Sequence, residues 1–279
     1  EIYFLARGKH LEEIKKNGLQ VKQGKNEFTA YPRLATDKVK EIGTVDYIIL
    51  CTKTYDLEEI CCQIKPCLTA ETIILSLLNG VNNSEVIKKI IPNNVVLKGC
   101  VYIVSKIVEA GKIEQTGTIQ SFYFGLDNYS DERLDFLQKI LQTAKINVSL
   151  SNNISAVVWE KYIFLSSIAT ATSYFDCPIG EILTDVEKCS ILNNLVGEVT
   201  QVALSKKVVV SKDIVEKIVQ KFKSLPPEIT SSLHRDFQNK TSKTELESLT
   251  GYVVNESLKL NIEAPLFNQM YLELVKWSK

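Results

Sequence analysis

The chain has 279 residues, 45% of them hydrophobic and 24% charged, with 33 basic residues balanced by 33 acidic ones and mean hydropathy near zero. That length exceeds the ~250 residues at which a single hydrophobic core stops growing, so two domains are expected. The zero net charge supplies no electrostatic footprint for nucleic acid or an anionic membrane surface. The composition is likewise far from the disordered and membrane-spanning classes, and no apolar run approaches the ~20 residues of a membrane span.

Glu1–Leu5 (EIYFL) reads as a short buried strand, followed at once by a helix over Lys9–Asn17 that Gly18 ends, with Lys15 and Lys16 in its last turn. Leu19–Val21 and Phe28–Tyr31 flank QGKN as a hairpin. Val45–Thr52 (VDYIILCT) and Thr72–Leu78 (TIILSLL) are continuous apolar strands, followed by helices around Leu57–Ile64 and Ser84–Ile91. Strands apolar on both faces imply a parallel sheet covered by helices on both sides. After Val95–Val104 come alternating strands at Lys112–Gln115 and Ile119–Phe124, separated by Gly117, then a helix over Asp131–Thr143 and a strand near Asn147–Leu150. From Ser151 onward only helical periodicity remains, over 154–172, 187–206, 212–224, 231–239, 245–259 and 264–277, with Pro178, Pro226, Pro227 and Pro265 at breaks. The expected fold is therefore α/β, a Rossmann-like doubly wound sheet over 1–152 followed by an all-helical domain over 153–279.

The seven cysteines form no repeating framework and sit in apolar or helical runs, as expected of reduced thiols in a cytosol. No C-x-x-C occurs, and neither His10 nor His234 has a second ligand at metal spacing, so no metal site is expected.

A doubly wound sheet holds its ligand outside the carboxyl ends of its strands. After EIYFL stands Arg7, where an NAD-selective fold would offer Asp or Glu to the ribose; a guanidinium suits the 2′-phosphate of NADP instead. The plain alternative is a solvated cation at a strand end. Lys53 follows VDYIILCT and Asn79 follows TIILSLL; both are candidate cofactor or substrate contacts, and both also suit an ordinary helix entry and an Asn-Gly turn. Lys161 is more specific. Val157 and Leu165 lie four residues either side of it and Ile154 and Ile168 seven away, so it stands on an apolar stripe where desolvation would ready it to release a proton. The alternative is a lysine snorkelling from the stripe edge. Glu245, sharing a helix face with Leu249, Tyr252 and Val253 while Glu247 turns away, is the candidate partner carboxylate, or else a charge complementing the helix dipole.

The segments FLARGKHLEEIKKNGL, ILCTKTYD, ILSLLNGV, GKIEQTG, WEKYIFLSSIATATSYFDCPIGEI, SSLHRD and TELESLTG together resemble, in order and spacing, the ketopantoate reductases (2-dehydropantoate 2-reductases). These reduce ketopantoate to pantoate with NADPH in pantothenate synthesis. The resemblance implies Arg7 as the ligand of the NADP 2′-phosphate, Lys53 and Asn79 as further cofactor contacts, and Lys161 as the catalytic lysine. It implies Ser232, Glu245 and Asn79 as substrate contacts, with Glu245 also orienting the lysine. Hydride would pass to the ketone carbon while Lys161 protonates the alkoxide, in a cleft between domains that closes over the cofactor. A cytoplasmic enzyme acting on a small-molecule 2-oxo acid is expected, with a homodimer left open; the alternative from another class is a non-catalytic cofactor-binding relative in which Lys161 and Glu245 are ordinary surface charges. Two departures stand out: family members commonly carry asparagines one and two turns after the lysine, where this chain has Leu165 and Ala169. Either Ser166, Ser167 or Thr170 substitutes, or the substrate differs. EIYFL matches the family's second strand, so a first strand and glycine loop are expected ahead of Glu1.

Overall fold

The computed structural model describes residues 1–129 and 131–277, and the chain divides into two compact units. The α/β unit comprises Glu1–Cys51, Leu57–Leu77 and Ser84–Asn152. The helical unit comprises Asn153–Lys279 together with two short segments of the first half, Thr52–Asp56 and Leu78–Asn83.

In the α/β unit, β1 (Tyr3–Leu5) leads into α1 (Gly8–Asn17), whose Leu11 and Ile14, one helical turn apart, are buried. Gly18 ends α1 in a left-handed conformation (φ 74°) and returns its N–H to the Ile14 carbonyl; a Cβ there would meet the Thr29 side chain at 2.6 Å. β2 (Leu19–Gln23) and β3 (Asn26–Ala30) form the expected hairpin. The sequence reading left β4 (Leu34–Thr36) unassigned, and it is the parallel partner of β1 in a separate two-stranded sheet. Three residues are too few to display an alternating pattern.

β5 (Tyr47–Leu50), α2 (Leu57–Gln63), β6 (Ile73–Ser76) and α3 (Asn83–Ile90) supply the two strand–helix units seen in the sequence. They are followed by β7 (Val95–Glu109), β8 (Lys112–Gly125), α4 (Glu132–Thr143) and β9 (Val148–Ser151). The seven-stranded sheet runs β3-β2-β8-β7-β6-β5, with β9 also on β8. β5, β6 and β7 pair in parallel and β7 with β8 antiparallel, so the sheet is mixed. All four residues of β6 are buried, as a continuous apolar run requires, but β5 is the last strand of the sheet and its Ile49 is exposed, against the expectation of cover on both faces.

The two strands expected either side of Gly117 are one strand, β8. The apparent break is an irregularity in the pairing: Tyr102 opposes Ser121 and Val104 opposes Thr116, so residues 117–120 stand against Ile103 alone, and Gly117 takes up the strain at φ 77°. Under the sheet, Ile73, Leu75, Leu97, Phe122 and Phe124 meet Leu134, Leu137 and Leu141 of α4 in one core. Asp131 caps α4 by accepting from the Arg133 N–H.

The helical unit is built on α5 (Ile154–Phe175), a 22-residue helix buried on most of its circumference. Around it lie α6 (Ile179–Thr184), α7 (Val186–Ser205), α8 (Ile214–Lys223) and α9 (Ser232–Gln238), then a π-helical turn (Glu247–Gly251) running into α10 (Tyr252–Leu260), and α11 (Pro265–Trp277). Phe164 of α5 stacks on Phe222 of α8 with ring centroids 5.2 Å apart. None of the described helices is long and apolar enough to cross a membrane.

Candidate active site

Two lysines and two carboxylates gather in the helical unit, on loops and helices distant in sequence. Lys161 stands in the second turn of α5 and is only 8% exposed, against the snorkelling alternative. Its Nζ donates to Asn79 Oδ1 at 3.1 Å. Asn79 is positioned by its own loop: Gly80 takes φ 106°, and Asn83 Nδ2 donates to the carbonyls of Leu78, Asn79 and Gly80, tying the turn to the start of α3.

Glu245 is 3% exposed, and its carboxylate accepts from Lys53 Nζ at 3.2 Å, from the Thr54 N–H at 3.4 Å and from Thr54 Oγ1 at 3.3 Å. Thr54 Oγ1 also reaches Ser248 Oγ at 2.9 Å. A carboxylate this buried needs a cation and donors to offset its desolvation, and the 52–56 segment supplies both. Lys53 meets a second carboxylate, Asp236 Oδ2, at 3.8 Å. Burial works against the charge of Lys53, but Glu245 and then Asp236 outweigh it and hold the amine above the usual lysine range. For Asp236, burial pushes the carboxyl up against the pull of Lys53, and Glu245 adds to the push.

Glu245 takes Lys53 as a cation, and Lys161 donates to Asn79. Glu245 also lies just ahead of the helix rather than within it. Its carbonyl accepts from the Leu249 N–H, and the next residues form the π-helical turn. Glu247 does turn away, to Tyr271 Oη at 2.7 Å. The turn is held by Tyr162, fully buried on α5, whose hydroxyl donates to the carbonyls of Ser248 and Leu249 at 3.0 and 2.9 Å. Burial, reinforced by Tyr252, raises that hydroxyl well above the tyrosine range, so it remains a donor. π-helical turns of this kind concentrate at functional sites.

Ser232 opens α9 one helical turn ahead of Asp236, half-buried, behind the N-cap residue Ser231, whose hydroxyl accepts from the His234 N–H. Arg7 belongs to the α/β unit, where it is the extended N-cap residue of α1. Of the three hydroxyls considered as stand-ins for the family asparagines, Ser166 donates to the Tyr162 carbonyl and Thr170 meets Thr250 Oγ1, both fully buried, while Ser167 Oγ is buried with no partner among the described residues. Leu165 remains half-buried and Ala169 buried.

Thr54, Asp236 and Ser248 were not singled out in the sequence. Asp236 carries the one available signal, since it follows Ser232 by four residues and so shares its helix face. No cluster of three or more His, Cys, Asp or Glu side chains suited to a metal occurs among the described residues.

Comparison with known proteins agrees with this architecture. Residues 1–128 match the family Ketopantoate reductase PanE/ApbA, and residues 153–277 match the C-terminal domain of the same family. The chain is 28% identical over 275 residues to the uncharacterized oxidoreductase YkpB of Bacillus subtilis, covering 98% of this chain and 90% of that one. It is 25% identical over 267 residues to a 2-dehydropantoate 2-reductase of Streptococcus pyogenes, covering 95% and 86%. The crystal structure of 2-dehydropantoate 2-reductase from Porphyromonas gingivalis superposes with a TM-score of 0.85 at 36% identity, over 99% of this chain and 88% of that one. The α/β unit with its following helical domain, and the family match in both halves, lead to one conclusion: the chain belongs to the ketopantoate reductase family of oxidoreductases.

Proposed function

We propose that this protein reduces a small 2-oxo acid with NADPH, with ketopantoate, giving pantoate, as its substrate. The observation that carries the reading is the buried Lys161 amine held by Asn79 at 3.1 Å, in the same unit as a cluster of donors that holds the Glu245 carboxylate in place. A buried lysine amine held in direction by an amide oxygen is placed to donate to a reacting oxygen.

The residues present suit the adenosine end of NADPH. Arg7 precedes a ten-residue helix with no acidic residue in its first turn, and Gly8, at φ 59°, leaves open space where a Cβ would stand. Backbone donors at a helix start beside a guanidinium fit a phosphate. In this reading the α/β half (1–152) carries the cofactor and the helical half (153–279) the substrate chemistry, and NADPH supplies the hydride to the ketone carbon.

The chain's own residues do the rest. Lys161 donates a proton to the ketone oxygen as negative charge develops there. Asn79 fixes the direction of that amine. Lys53 and Thr54 hold Glu245, whose carboxylate accepts from the substrate hydroxyl, and Ser232 contributes a second polar contact.

A second reading keeps the chemistry and changes the acid. Leu165 and Ala169 follow Lys161 at four-residue steps, and the hydroxyls of Ser166 and Thr170 are already bonded within the unit. That stretch of α5 favours an apolar substituent over a hydroxyl.

The test is NADPH oxidation by the complete wild-type protein with ketopantoate and with a panel of 2-oxo acids. Lys161→Ala should lose about 10²–10⁴-fold in kcat while still binding NADPH. Absence of oxidation with every acid would sink the proposal; oxidation only with apolar acids would select the second reading.

A further inference from the structure

A cavity of about 590 Å³ opens in the helical unit, lined by Ser173, Asp176, Asp236, Phe237, Lys240 and Trp277 among others. That is within the range of about 300–1,000 Å³ typical of small-molecule sites. Three independent observations give it a ligand chemistry.

Ser173 is 1% exposed, and its hydroxyl has no hydrogen-bond partner among the described residues. Elsewhere on the same helix, Ser166 and Thr172 satisfy their hydroxyls by donating to the carbonyls four residues back. Ser173 does not, and a buried hydroxyl on a cavity wall without a protein partner is one that a bound molecule can satisfy. Trp277 is 52% exposed, an unusual state for the largest side chain, and its ring meets Phe237 edge to face at 6.5 Å. Exposed aromatic faces over a cavity attract an apolar or cationic guest. The charge on the walls is acidic, because Asp176 and Asp236 outnumber Lys240. His234, buried at 1% exposure, holds Asp176 through Nε2 at 2.8 Å and so fixes one of those carboxylates in place. A hydrogen bond from His234, backed by its charge when protonated, keeps the Asp176 carboxyl below the usual carboxylate range.

We propose that this cavity is a second ligand site, adjoining the Lys53–Glu245 cluster, for a small organic cation: a primary ammonium on a short aromatic or apolar stem. The ammonium faces Asp176 and Asp236, the stem lies against Trp277 and Phe237, and the Ser173 hydroxyl receives a polar atom of the guest. Asp236 joins the two sites, since the same carboxylate stands 3.8 Å from Lys53.

Calorimetric titration of the whole protein, without substrate or cofactor, tests this with 2-phenylethylammonium as the probe. Its uncharged analogue 2-phenylethanol and its anionic analogue 3-phenylpropionate serve as controls. Saturable binding is expected at one site per chain, at least about tenfold tighter than either control. Asp176→Asn should weaken it by about tenfold or more, because asparagine tolerates the left-handed backbone at this position (φ 48°) and removes only the charge. Trp277→Leu, at a largely exposed position, should weaken it independently. Equal affinity for the three probes, unchanged binding in both variants, or no saturation up to about 10 mM would each overturn the site. Because binding is read directly, these outcomes do not depend on the reductase reading.

Discussion

At the scale of single residues, the site is a problem in keeping charges buried. Lys53 answers for two carboxylates, and the one it serves less closely, Asp236, is left with its carboxyl raised. A carboxyl that holds its proton more tightly when folded favours the fold while protonated. Its contribution is complete below the ordinary aspartate pKa of about 4 and is lost as pH rises through the higher folded value. Asp236→Asn removes that loss. Relative to wild type, the variant should therefore gain stability as pH is raised from about 3.5 to 7, whatever its offset at acid pH. Urea denaturation of both proteins at the two ends of that range measures it, and a constant difference would contradict the assigned direction. Lys53, Asn79, Lys161 and Glu245 could be picked from the sequence because each stands at a strand end or on an apolar stripe. Which of them touch could not, because the Lys53–Glu245 pair spans 192 residues and the Lys161–Asn79 pair 82.

At the scale of elements, the decisive feature is the π-helical turn after Glu245. An α-helical register there would carry different residues onto the face that meets Thr54 and α5. Tyr162 holds the turn by donating one hydroxyl to two carbonyls in a site closed to water. Tyr162→Phe leaves both carbonyls without that donor and should cost about 1–3 kcal/mol, with a fall in kcat from the displacement of Glu245. Thermal melting with steady-state kinetics checks it. A stability loss with unchanged kcat would mean that the turn does not position Glu245. The turn left no trace in composition, since one residue added to a hydrogen-bond ladder changes no periodicity over a short window. β4 escaped for a related reason, three residues being below the length at which alternation is visible. Gly117, by contrast, gave too strong a signal: a left-handed glycine was read as the end of a strand that runs through it. The long helices of the second half and the apolar strands β5 and β6 were legible because their apolar runs persist over enough residues.

At the scale of the molecule, the helical unit is not a contiguous stretch, because it takes in Thr52–Asp56 and Leu78–Asn83 from the first half. Those segments bring Lys53, Thr54 and Asn79, the partners of Glu245 and Lys161. A fragment of residues 153–279 would strand the Glu245 carboxylate at a cost of about 2 kcal/mol, discounted for the partial exposure of Lys53. Glu245→Gln should consequently stabilise the fragment yet destabilise the complete chain. Urea midpoints of the four proteins decide it, and the same sign in both backgrounds would show that the borrowed segments do not sustain the carboxylate. The interleaving also sets an order in time. During synthesis Lys53 leaves the ribosome 192 residues before Glu245, an interval of roughly 10 to 40 s at 5–20 residues per second. Throughout that interval the growing chain carries a lysine loop with no counterpart yet made, whereas the asparagine turn waits only the 82 residues to Lys161. The Lys53–Glu245 pair therefore forms only as the last helices are translated, and a nascent chain released early has a sheet but not that buried cluster.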